Sequence, residues 1–137
     1  METLIILKPD CLERKMQYKV LEVISKHFSI ISSKSVVATR EMVEEHYAEH
    51  KGKPFFDELV DFMSGNKVYV CLCQHFEEPE NSVTKMRELV GPTDGSDPSS
   101  IRGKFKLRGS PKMKNLIHAS DSAEAVLREK SIWLVEK

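Results

Sequence analysis

Short β-rich apolar runs alternate with stretches of helical period along this chain, and that alternation limits the fold more tightly than any single motif. Residues 3–8 (Thr-Leu-Ile-Ile-Leu-Lys) form one such run, closed by Pro9 and Asp10, and read as a buried strand. From about 16 to 28, Val20, Leu21, Val23, Ile24 and Phe28 recur at helical spacing. Residues 30–38 are β-branched and serine-rich, a second strand. Thr39 then stands as the cap of a helix with Met42, Val43, His46 and Tyr47 on one face. Pro54 opens a further helix carrying Phe55, Phe56, Leu59, Val60 and Met63. Ser64-Gly65-Asn66 turns into a third strand over 67–73, and a glutamate-rich stretch leads into a helix ending near Leu89. Residues 91–114, rich in glycine and proline, read as one long irregular loop. A helix over 121–130 and a strand over 131–135 complete the order. It predicts an α+β fold: a ferredoxin-like βαββαβ sandwich, an antiparallel four-stranded sheet with helices packed on one face. No repeat, low-complexity tract or linker divides residues 1–137, so one domain is expected.

Charge refines this picture. Lys plus Arg and Asp plus Glu both number 21, for a formal net charge of zero. The sum hides a segregation: residues 101–114 carry Arg102, Lys104, Lys106, Arg108, Lys112 and Lys114 with no acid. The remainder holds 15 basic and 21 acidic residues, a net of −6. A cationic stretch of Gly/Pro-rich backbone suits phosphate binding, while the neutral total argues against coating by nucleic acid. No apolar run approaches the roughly 18 residues of a membrane span, and none resembles a signal-peptide core, so no membrane partner and a cytoplasmic location are expected. The three cysteines lack disulfide spacing, which fits a reducing compartment. Cys71 and Cys73 share one face of a strand and read as buried. Cys11, just past the first strand, is expected to be exposed and oxidisable.

Known phosphate motifs are missing. There is no G-x-x-x-x-G-K-[ST] and no G-x-G-x-x-G, which excludes a P-loop, a dinucleotide fingerprint and a protein-kinase glycine loop. An RNA-recognition module shares the element order, but after Arg102-Gly103 only Phe105 supplies an aromatic. The most informative stretch is Asn115-Leu116-Ile117-His118-Ala119-Ser120-Asp121-Ser122, where an apolar pair delivers His118 to the start of a Ser/Asp-capped helix. Alone, His118 fits a structural role as well as a catalytic one. Counted from Ser120 or Asp121, Glu129 lies about two and a half helical turns on and could return to the imidazole, fixing its tautomer. His27, His46, His50 and His75 read as surface or partly packed residues.

Residues 3–10 (Thr-Leu-Ile-Ile-Leu-Lys-Pro-Asp), His46-Tyr47, Lys53-Pro54-Phe55-Phe56, Ile101-Arg102-Gly103 and the Asn-x-x-His-x-Ser-Asp-Ser segment together resemble the nucleoside diphosphate kinases. The resemblance runs in order from residue 3 to about 134. It implies transfer of the terminal phosphate of a nucleoside triphosphate to a nucleoside diphosphate, with Mg2+, by a ping-pong cycle through a phosphohistidine. By resemblance His118 is the nucleophile, acting through Nδ1, with Glu129 orienting it and Ser120 supporting Glu129. Lys8 matches the lysine on the terminal phosphate and a ribose hydroxyl, and Tyr47 the tyrosine near the transferred phosphate. Arg87, Thr93 and Arg102 match the groups that hold the phosphates, and Asn115 the asparagine on the ribose. Phe55 matches the aromatic stacked on the base, with Leu59 behind it; stacking tolerates every base, which implies broad specificity. The family also implies a homo-oligomer, a hexamer or tetramer, with nucleic acid not an expected partner.

The chain departs from the family pattern at several places. Lys15 and Tyr18 stand where glycines are usual, Lys104 follows Arg102-Gly103 in place of an acidic or small residue, and Lys112 stands near the usual apolar cover of the base. The segment between Gly65 and Arg87 is longer, the loop from 93 to 102 slightly shorter, and 107–113 extended. A competing expectation, carried by the basic segment, is a catalytically weak module that binds single-stranded nucleic acid.

Overall fold

The computed structural model describes residues 1–107 and 109–134. Four strands form one sheet in the order β2-β3-β1-β4: β1 Thr3–Leu7, β2 Phe28–Val37, β3 Lys67–His75 and β4 Ile117–Ala119. All three pairings are antiparallel, as the ferredoxin-like reading expects. Seven α-helices accompany them: α1 Pro9–Glu13, α2 Gln17–Ser25, α3 Arg40–His46, α4 Phe56–Met63, α5 Ser82–Val90, α6 Ile101–Phe105 and α7 Ala123–Trp133. Thr39 caps α3 by accepting from the Met42 amide at 3.1 Å. Ser122 caps α7 in the same way through the Ala125 amide at 3.0 Å.

The helices cover both faces of the sheet, not one. Every residue of β1 is buried, and its side chains alternate between two cores. Leu4 and Ile6 join Val68 and Val70 beneath α3, α4 and the end of α7. Ile5 and Leu7 join Cys71 and Cys73 beneath α2, α5 and α6. The unbroken Leu-Ile-Ile-Leu run is the sequence signature of a strand buried on both sides.

Two further expectations are corrected. Residues 131–133 do not begin a strand: α7 continues through them and buries Ile132 and Trp133, while Val135 lies outside the described residues. The fourth strand is instead the short segment around His118. The stretch 91–114 is not wholly irregular either, because Ser100 caps α6 within it. Gly103 is required there, since a Cβ would collide with the Asp97 carbonyl.

β2 forms one edge of the sheet. Eight of its ten residues are exposed, Ile31 at 47% and Val37 at 58% among them. Lys15, at a position where the sequence comparison expects glycine, closes the turn after α1 with φ of 56°, in the left-handed region. All three cysteines are buried, and burial pushes the Cys11, Cys71 and Cys73 thiols up to about 12. The expectation of an exposed, oxidisable Cys11 is therefore wrong: α1 folds it inward.

Candidate active site

His118 occupies the middle of β4, opposite Ile6 on β1. It therefore projects from the same face as Ile6, towards α3 and α7. Glu129, on the inner side of α7, meets its Nε2 at 2.7 Å. The Ser120 hydroxyl donates to the same carboxylate oxygen at 2.7 Å. A carboxylate on Nε2 sets the ring proton there and leaves Nδ1 with a lone pair, unpartnered among the described residues.

The backbone leading into β4 is strained. Leu116 has φ of 76°, and the Ile117 amide reaches the Asn115 carbonyl at 3.0 Å, closing a γ-turn. Such a conformation costs on the order of 1–3 kcal/mol and persists only where the surroundings enforce it. Here they do. The Leu116 amide donates to Asp10 Oδ2 at 3.0 Å, its carbonyl accepts from the Lys8 amide at 2.8 Å, and its side chain is fully buried. The Lys-Pro-Asp start and the histidine segment are thus one device.

Positive groups from separate elements line a cavity of about 250 Å3 above His118: Lys8, Arg87, Arg102 and Arg128. Lys8 Nζ donates to Asn115 Oδ1 at 2.9 Å and to the Met113 carbonyl at 3.2 Å. Burial and then the neighbouring Arg102 bring the Lys8 ammonium down to about 8, against a smaller opposing pull from Asp10. Arg102 is anchored on the carbonyls of Gly91 at 2.9 Å and Ile117 at 2.6 Å. Burial and Arg87 lower it to about 10, so it stays charged at neutral pH. Arg87 donates to the Ala119 carbonyl at 3.1 Å. Of the six buried side-chain polar atoms with no partner among the described residues, two belong to residues lining this cavity: the Tyr47 hydroxyl and Arg102 Nε. A protein rarely leaves such atoms unpaired unless a ligand completes them.

An adjoining cavity of about 550 Å3 shares Lys8, Tyr47, Thr93 and Asn115 and extends to Phe55, Leu59 and Lys112. Phe55 is 45% exposed and Leu59 is buried behind the same wall. The Asn115 amide nitrogen holds the Thr93 carbonyl at 3.2 Å, which joins the two cavities. All eleven residues singled out by sequence therefore gather in one continuous site. Of the basic residues of segment 101–114 that the structure describes, only Arg102 and Lys112 line these two cavities; Arg108 lies outside the described residues.

These features meet a consistent set of relatives. The family model for nucleoside diphosphate kinase matches residues 1–137. This chain belongs to the nucleoside diphosphate kinase family. The nucleoside diphosphate kinase of Methanocaldococcus jannaschii is 38% identical over 137 residues, covering 98% of this chain and 93% of that protein. That of Ignicoccus hospitalis is 39% identical over 132 residues, covering 94% and 85%. The Aquifex aeolicus nucleoside diphosphate kinase crystal structure superposes with a TM-score of 0.84 at 38% identity, covering 98% of this chain and 94% of its own. The apo enzyme of Encephalitozoon cuniculi gives 0.87 at 29% identity, covering 98% and 89%.

Several residues lining this nucleoside diphosphate kinase site are not singled out by the sequence, Asp121, Arg128 and His46 among them, and His46 is the most deeply buried of these three. His46 is 3% exposed, not a surface residue, and packs edge-on against His118 with ring centroids 4.5 Å apart. Its placement beside Tyr47 was the available signal. His46, His118 and Glu129 bring ligand atoms within 4.8 Å of one another. That grouping does not suit magnesium, which takes oxygen ligands. His118 Nε2 is also committed to Glu129, and His46 Nδ1 to the Trp133 indole.

Proposed function

We propose that this chain transfers the terminal phosphate of a nucleoside triphosphate to a nucleoside diphosphate, through a phosphohistidine at His118. The observation that carries the reading is the 2.7 Å contact of His118 Nε2 with Glu129, beneath a cavity lined by cations. In the first half-reaction the Nδ1 lone pair forms a bond to the terminal phosphorus. The bond from that phosphorus to the bridging oxygen breaks, and its electrons leave with the diphosphate. Nδ1 has no proton to lose, and Glu129, supported by Ser120, balances the charge that develops on the ring. The second half-reaction reverses these steps onto the incoming diphosphate.

Phosphoryl transfer needs mainly positioning and positive charge around the moving oxygens. Lys8, Arg87 and Arg102 supply the charge, Thr93 adds a hydroxyl, and the orphaned Tyr47 hydroxyl gains a phosphate oxygen. Asn115 holds the ribose together with Lys8. Phe55 stacks on the base and Leu59 backs it, with Lys112 across the cavity. A π-face common to all bases gives broad base specificity.

Magnesium would supply neutralisation of the phosphate charge. The site fits that role without an all-protein cage. Asp121 lines the phosphate cavity and forms no ion pair among the described residues, so it is placed to contact the hydrated ion.

We also read residues 1–137 as one domain, because all seven helices contribute to or flank the two cores on a single sheet. The long exposed edge β2, with Ile31 and Val37 bare, supports assembly of a homo-oligomer through that strand. No helix among the described residues is long and apolar enough to cross a membrane. A cytoplasmic location is the reading that fits a pool of free nucleotides and three reduced cysteines.

Incubation with terminally labelled ATP and magnesium is expected to give an acid-labile, base-stable phosphoprotein that ADP or GDP discharges. His118→Ala is expected to take up no label. Equal labelling of that variant would overturn the proposal.

A further inference from the structure

His46 is the one buried titratable side chain of the site that the chemistry above leaves idle. It is wedged between the His118 ring, at 4.5 Å between centroids, and the Trp133 indole, at 5.6 Å, with Tyr47 packed edge-on at 4.5 Å. Trp133 Nε1 meets His46 Nδ1 at 2.9 Å. An indole nitrogen donates only, so Nδ1 must present its lone pair, and the single proton of a neutral imidazole sits on Nε2. A protonated His46 would set two N–H groups against each other in a buried contact.

We infer that His46 is a positioning residue for the nucleophile, locked by Trp133 as a neutral Nε2–H imidazole that keeps its shape and charge while His118 gains and loses phosphate. This rests on reading His118 as the nucleophile. The charged surroundings act in the same direction as the indole. Lys8 from the end of β1, Arg128 from α7, His50 beyond α3 and His118 itself all oppose a positive charge on His46. Burial adds the largest contribution, holding His46 well below the ordinary imidazole range. Arg128 also donates to the His46 carbonyl at 3.2 Å, fixing its backbone. Glu129 is the nearby carboxylate that would favour the cation, and its Oε1 is already shared by His118 and Ser120.

The two imidazoles are thus set to the same tautomer by opposite means. Glu129 accepts from His118 Nε2, whereas Trp133 donates to His46 Nδ1. The consequence is mechanical and electrostatic. An uncharged His46 edge holds the His118 ring against Glu129, and it does not withdraw electron density from Nδ1, as an imidazolium in contact would.

The test uses the whole protein in two arms. Ring-nitrogen NMR of the wild type between pH 5 and 8 is expected to show His46 as the Nε2–H form throughout. The rate of phosphoenzyme formation from ATP is then followed against pH for the wild type, Trp133→Phe and His46→Gln. Trp133→Phe keeps the packing and frees Nδ1. Burial and the neighbouring cations persist in that variant, so what changes is the tautomer: its ring-nitrogen spectrum is expected to show an Nδ1–H form absent from the wild type, and phosphoenzyme formation to slow several-fold across the pH range. His46→Gln offers an N–H donor that does not titrate, and its acid limb is expected to follow the wild type. A wild-type His46 that titrates near 6.5, or a Trp133→Phe profile superimposable on the wild type, overturns the inference. If Trp133→Phe fails to fold, the wild-type spectrum and the His46→Gln profile decide it. Absence of any phosphohistidine in the wild type would instead overturn the reading of His118, and the spectrum would still report on His46.

Discussion

The two ends of the cleft are built on different terms. At the proposed phosphate end, Lys8, Arg102, Asn115 and Glu129 are all at most 7% exposed, and each is tied to backbone or side chain by hydrogen bonds. At the proposed base end, Phe55 is 45% exposed and Lys112 has no salt-bridge partner among the described residues. The difference teaches what each end must do. Charge that moves during phosphoryl transfer is stabilised only by dipoles and cations already in place. A base that merely has to be held tolerates a loose, open clamp.

Substitutions can break or sharpen this contrast. Glu129→Gln removes the charge behind His118 and permits the wrong tautomer, so kcat is expected to fall about 10²- to 10⁴-fold with little change in nucleotide KM. Steady-state kinetics on both substrates would check it. Phe55→Ala should do the reverse: loss of stacking worth about 1–3 kcal/mol raises KM for every diphosphate roughly five- to 150-fold while kcat holds. A drop in kcat for that variant would erase the division of labour. Lys8 carries its charge below about 8 and loses it above. Hence kcat/KM, which reports the free enzyme, is expected to decline about tenfold per pH unit beyond 8. The limb in kcat should lie further alkaline, because bound phosphate favours the ammonium. The smallest effect concerns stability. Tyr47→Phe deletes a buried hydroxyl with no protein partner, so without nucleotide the variant should gain about 1 kcal/mol while losing activity. Thermal melts and turnover measured on one preparation would show the two quantities moving in opposite directions.

Much of this architecture is legible in the sequence because its elements advertise themselves locally. The 3.6 period of residues 17–25, the caps at Thr39 and Ser122 and the apolar run of β1 all act within a few residues, whereas Phe28, read with that helix, instead opens β2. The failures occur where distant contacts decide. Ser131-Ile132-Trp133 has strand-like composition, yet Ile132 and Trp133 bury as a helical turn against the core that includes Leu4 and Tyr47. β4 is three residues long, too short to display any period of its own. His46 looked unremarkable because its indole partner lies 87 residues away. Cys11 was misjudged because the five-residue α1, absent from the periodicity, turns it inward. The proposed catalytic set is readable only as an ordered whole, since no member carries a local signal stronger than a packing role.

The pairing of Ile6 with His118 has one more implication. Ile117 and Ala119 belong to the core on the far side of the sheet, so a slip of one residue in β4 would send the imidazole among Cys71 and Met86 and leave the phosphate cavity with an apolar floor. Strand alignment in this molecule is therefore all-or-nothing for catalysis. Turnover per folded molecule doubles as a counter of correctly aligned sheets, and a refolded sample that recovers its secondary structure but not its specific activity would point first to β4.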